Sequence, residues 1–130
     1  MAATSGGLSR RELLRLIGCW QRFATRELGI TLTVDRLKVS EPGLRGIWKG
    51  LRRALDGKSV AIIGLDGAER HWTVAHAATE RTLRVADSSG LRMIFRSQCT
   101  VARTSLRYQL RPSGVLVVGR GEDVGPTADI

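Results

Sequence analysis

The chain has 130 residues, which suits one domain with a real core and is too short for two full lobes. Its 21 Lys and Arg against 12 Asp and Glu give a formal charge of +9, which favours an acidic partner such as nucleic acid, an anionic membrane surface or an acidic peptide without choosing among them. The two cysteines, Cys19 and Cys99, lack metal spacing, so no zinc site is implied and reduced thiols in a cytoplasm are expected.

Residues 1–7 are small, and the start of the chain through residue 8 is expected to be flexible. No basic residue precedes an apolar core there, and no window approaches eighteen uninterrupted apolar residues, so neither a signal peptide nor a membrane span is expected. Ser9 and Glu12 have capping-box spacing, each side chain meeting a free amide of the first turn, with Leu8 and Leu13 as the hydrophobic staple. The helix that starts there carries Leu13, Leu16, Ile17, Trp20, Phe23, Ala24 and Leu28 as an apolar stripe and stops at Gly29. Cys19 falls in mid-helix on the flank of that stripe. Free amides and the positive end of the helix dipole, which activate a thiol, are absent from such a position. Arg11, Arg15, Arg22 and Arg26 gather on the opposite face. A solvated helix surface accounts for them, and weak, nonspecific polyanion binding is their functional reading.

Residues 30–39 alternate loosely, as an irregular strand or an extended crossing between helices. A turn at 40–43 followed by Leu44, Ile47, Trp48, Leu51 and Leu55 predicts a second amphipathic helix over 42–56. Residues 60–65 form a continuous apolar run between glycines, the pattern of a buried central strand. Gly64 within it leaves room for a neighbouring backbone or a substrate strand.

Two alternating runs come next, 71–77 and 82–87, and predict an antiparallel hairpin. With Ala78, Thr79 and Glu80 as the loop, Ala77 faces Arg81, and the count back sets His71 opposite Asp87. Facing residues have Cβ atoms about 4.5–5.5 Å apart. A carboxylate beside an imidazole fixes the ring's tautomer and orientation, and an oriented imidazole can deprotonate a thiol. His71 and Asp87 are therefore candidate catalytic residues, base and orienter, whereas His76, sharing the face of Trp72, reads as structural.

Residues 88–90 turn, 91–95 form a further short strand, and Cys99 sits among ordinary packing residues. Residues 106–110 alternate, 111–114 turn and 115–118 make a last strand. The chain thus divides into a flexible start at 1–8, one domain over 9–119 and a loose tail at 120–130. Helices first and strands after is the segregated order of an α+β fold, with two N-terminal helices packed on one face of a mostly antiparallel sheet of about five strands. No internal repeat, P-loop, dinucleotide fingerprint or helix-borne metal pair occurs, so no cofactor and no metal is expected.

The stretch 44–118 resembles the bacterial cysteine peptidases that cut double-glycine leaders from bacteriocin precursors, and their papain-like relatives. The resemblance rests on the apolar strand that leads to Gly67, on His71-Trp72-Thr73-Val74 opening the next strand, and on Val85-Ala86-Asp87 closing the one after. It implies a papain-like half-fold with His71 and Asp87 as base and orienter. Family enzymes place their cysteine at the start of a first-lobe helix behind a Gln or similar oxyanion donor. Cys19, the only cysteine upstream of His71, has no Gln before it, and Ser88 follows Asp87 where the peptidases commonly carry Pro. Three functions follow: a cytoplasmic peptidase-related domain, inactive or missing an N-terminal segment, that binds a peptide or protein partner; a thiol hydrolase with Cys19 as nucleophile; or a small basic module for nucleic acid or another polyanion.

Overall fold

The computed structural model describes residues 9–56, 58–67, 71–87 and 89–121. Leu8 of the expected staple, Ser88 and residues 122–130 of the expected tail lie outside them. Helix α1, Arg10–Phe23, opens with the capping box in place: Ser9 Oγ accepts from the Glu12 amide at 3.1 Å and Glu12 Oε1 from the Ser9 amide at 2.9 Å. It passes into a π turn, Ala24–Leu28, that ends at Gly29 with φ +66°. Strand β1, Leu32–Arg36, realises the loose alternation, and helix α2, Gly43–Ala54, follows with Pro42 at its N-cap.

Six strands come after: β2 (Ser59–Gly67), β3 (His71–Ala78), β4 (Thr82–Ala86), β5 (Met93–Phe95), β6 (Cys99–Thr100) and β7 (Tyr108–Gln109). The last, β8, is Val115–Arg120. The fold is α+β, and among the described residues its sheet has eight strands where about five were expected. The main antiparallel path runs β1-β8-β2-β3-β4-β5, while β6 pairs in parallel with β7, which in turn pairs with β2. Strand β1 forms where an irregular strand or extended crossing was expected, the alternation at 106–110 shrinks to the two residues of β7, and β6, also two residues, is too short to leave a periodic signal.

The helices lie on opposite faces of the sheet, not together on one. Strand β2 explains why, because its apolar run points both ways. Ala61, Ile63 and Leu65 pack with Ile47, Trp48 and Leu51 of α2, whereas Ile62 packs with Leu13 and Ile17 of α1 and with Leu116 of β8. Either face left bare would expose Ile or Leu to water at about 1.5–3 kcal/mol per side chain. The helical stripe of α1 is also narrower than its spacing suggests. Leu13, Ile17 and Ala24 are buried, while Leu16, Trp20, Phe23 and Leu28 stay exposed.

Gly64 does not hold an open gap. It stands across from Trp72, whose ring carbon would lie 3.0 Å from an added Cβ, so the indole fills the space.

Candidate active site

The β3–β4 hairpin closes later than its sequence suggests. Thr79 donates its amide to the Thr82 carbonyl at 2.8 Å, and the Thr79 hydroxyl accepts from the Thr82 amide at 3.0 Å. Ala78 therefore pairs with Leu83 and Ala77 with Arg84, not with Arg81. Against the expected register this is a slip of three, an odd number that would turn His71 and Asp87 to opposite faces. A bulge between Ala75 and Ala77 takes one step back, so Ala75 pairs with Val85 and Val74 with Ala86.

Continued one step, this register sets Asp87 across from Thr73, with His71 as its diagonal neighbour on the same face. Diagonal Cβ atoms stand about 7–8 Å apart, within reach of two such side chains. His71 Nε2 lies 3.3 Å from Asp87 Oδ2. His76, as the extra residue of the bulge, is exposed and acts through the backbone: its insertion brings base and carboxylate to one side.

The carboxylate is held more firmly than the ring. The Asp87 side chain is 2 % exposed and that of His71 22 %, and Ser89 Oγ donates to the same Oδ2 at 2.5 Å. The Gly90 amide closes the turn onto the Asp87 carbonyl at 3.0 Å. Ser89 did not stand out in the sequence. Its signal was an Asp followed two residues later by Ser in a Gly-containing turn, where a hydroxyl can reach back to the carboxylate. With Nε2 turned to Asp87, the ring atom that would take a proton from a nucleophile is Nδ1, and Nδ1 is buried. Thr73, two residues on and on the same face, is also buried, and its Oγ1 has no hydrogen-bond partner among the described residues.

Neither cysteine is brought to this ring. Ile17 points at the sheet, and Cys19, two residues on, points about 160° away from it around the helix. Its exposed Sγ accepts from Arg22 Nη2 at 3.3 Å. Helix α1 moreover covers the Trp72 face, whereas His71 and Asp87 project from the other. Cys99 is buried in the α2-side core, its thiol directed to the Phe95 carbonyl at 3.6 Å. Burial pushes that thiol up to about 11 from an ordinary 9.0.

The shift has a stability consequence. Between pH 9 and 11 the folded chain keeps a proton that the unfolded chain loses, so stability present below pH 9 is lost as pH rises. Urea unfolding is expected to show a loss of roughly 2 kcal/mol by pH 10.5 that is missing from Cys99→Ala. Equal alkaline slopes in the two proteins would contradict the assignment.

At the end of the sheet, Ser9, Arg10, Leu65, His71, Trp72 and Gly114 contribute to the lining of a cavity of about 340 Å³. Arg10 donates to the Ser113 carbonyl and Arg111 pairs with Asp66 along its wall. Arg11, Arg15 and Arg22 are exposed on α1 and Arg26 on the π turn after it, none of them lining this cavity, with Arg26 paired to Glu27 at 2.9 Å. Among the described residues no group of three or more His, Cys, Asp or Glu side chains could hold a metal ion. No helix among them is long and apolar enough to cross a membrane. A scan against protein-family models and searches of curated proteins and of solved structures each find no match.

Proposed function

We propose that the chain is a papain-like, cysteine-peptidase-related domain that carries a His–Asp pair without a clear nucleophile and binds a peptide or protein partner. The 3.3 Å approach of His71 Nε2 to Asp87 Oδ2 carries this reading. A buried carboxylate that orients a ring at the end of a strand is the supporting half of a nucleophilic site. Neither cysteine supplies the other half. Cys19 points to solvent beyond the opposite face, Cys99 is held protonated by burial, and Nδ1 is turned inward. With neither thiol placed at the ring, the domain engages its partner without thiol-dependent hydrolysis.

The cavity beside His71 is the natural seat for an extended segment. It offers an indole for apolar contact, and its backbone and side-chain polar groups can orient a peptide. A random-peptide display library panned against the folded chain tests this. Enriched peptides are expected to bind the wild type and to lose about tenfold or more in affinity against His71→Ala and Gly114→Leu. An alanine Cβ at position 114 already lies 3.8 Å from the Gly64 carbonyl oxygen, so a leucine there reaches into the cavity. Failure to enrich any peptide, or binding indifferent to both substitutions, would remove the peptide-binding reading.

A further inference from the structure

Helix α1 spends only part of its apolar surface on the sheet. Leu13, Ile17 and Ala24 face inward. Leu16, Trp20 and Phe23 recur at spacings of four and three and form a second stripe along one flank, with Trp20 49 % and Phe23 51 % exposed. Leu28, at the end of the π turn, is exposed as well. Next around the helix, on the side away from the sheet, stand the exposed Arg11, Arg15, Arg22 and Arg26. From the sheet outward the order is buried apolar, exposed apolar, cationic.

We propose that α1 is an interfacial anchor that docks the protein on an anionic membrane surface. Leu16, Trp20 and Phe23 would enter the boundary between headgroups and acyl chains, and the arginines would meet lipid phosphates. Tryptophan, phenylalanine and leucine beside a row of arginine is the composition of helices that lie in that plane. Three physical arguments select this occupant. A second copy would set two arginine rows side by side, with Glu12 and Glu27 as the helix's only acidic residues to offset them. Two half-exposed aromatics and two exposed leucines offer on the order of 300–400 Å², less than half of what each partner gives to a stable protein interface. Nucleic acid would satisfy the arginines and could stack on the rings, but leaves Leu16 and Leu28 in water. A lipid surface uses both stripes, requires no shape complementarity, and gains from each basic residue near it.

Flotation with phosphatidylcholine vesicles, with and without about one-third phosphatidylserine, tests the proposal. Binding is expected to be at least about tenfold tighter to the anionic vesicles, to fall at 0.5 M salt, and to drop by about tenfold or more in Trp20→Ala/Phe23→Ala. Acyl-chain-brominated vesicles should quench tryptophan emission in the wild type but not in Trp20→Phe, which still binds. About half of each ring already lies in solvent, so circular dichroism should show Trp20→Ala/Phe23→Ala still folded at the assay temperature. Equal binding to both vesicle types, or no quenching, would overturn it. So would a concentration-dependent dimer abolished by Trp20→Ala/Phe23→Ala, or single-stranded DNA binding that needs the two rings while vesicles fail to bind.

Discussion

Trp48→Ala is expected to cost about 3–5 kcal/mol, the largest loss from any single truncation in this core. Trp48 is 1 % exposed and packs between α2 and the sheet with Ile63, Leu83 and Ile94. Its Nε1 donates to the Thr79 carbonyl at 2.8 Å, which ties α2 to the turn that sets the hairpin register. Truncation leaves a cavity and strips that carbonyl of its partner. Trp48→Phe keeps most of the volume and loses the hydrogen bond, so about 1–3 kcal/mol of the effect should remain. Urea unfolding followed by circular dichroism measures both. A loss under about 1.5 kcal/mol for Trp48→Ala would mean that α2 is not packed as described.

Gly46→Ala should destabilise by about 2–3 kcal/mol, against the sign that helix propensity gives. Gly46 lies in the first turn of α2, where an added Cβ would stand 1.7 Å from the Glu41 carbonyl oxygen and 3.0 Å from Val39 Cγ1. The obstacle is mainly backbone, which cannot swing aside as a flexible side chain does. Gly18→Ala is the internal control. It also lies in a helix, and its added Cβ meets nothing nearer than an Arg22 side-chain nitrogen at 3.6 Å. That substitution should stabilise by up to about 1 kcal/mol. Thermal melts should therefore separate the two variants by roughly 10 °C or more, in opposite directions from wild type. Two shifts of the same sign would contradict this packing.

Much of the fold is legible in the chain, and its limits have physical causes. The capping box of Ser9 and Glu12 marks a helix start because it is local chemistry. The hairpin strands are legible because alternation reflects a half-buried surface. Register is different. It depends on which hydroxyl closes the turn and on one bulged residue, and neither the Thr79 closure nor the insertion at His76 disturbs the apolar pattern. The expected facing of His71 and Asp87 thus counted from the wrong turn, yet a slip of three and a bulge of one leave the two on one face. Periodicity likewise tells which residues of α1 share a side, not how wide the sheet beneath it is, so Trp20 and Phe23 were assigned to a core that ends at Ile17 and Ala24. The apolar run of β2 carried the clue to a helix on each face, since one covered face needs only alternate apolar residues.

The central claim is that neither Cys19 nor Cys99 serves His71 and Asp87 as a nucleophile. It is tested most directly by the rate at which iodoacetamide alkylates Cys19, followed by mass spectrometry from pH 5 to 9 in the wild type and in His71→Ala. With the thiol directed away from the sheet and the imidazole on the far face, the two pH profiles should superimpose, Cys99 staying unmodified while the protein is folded. Rapid alkylation of Cys19 at pH 6 that disappears in a folded His71→Ala protein would show the pair activating that thiol, and the chain would be a hydrolase.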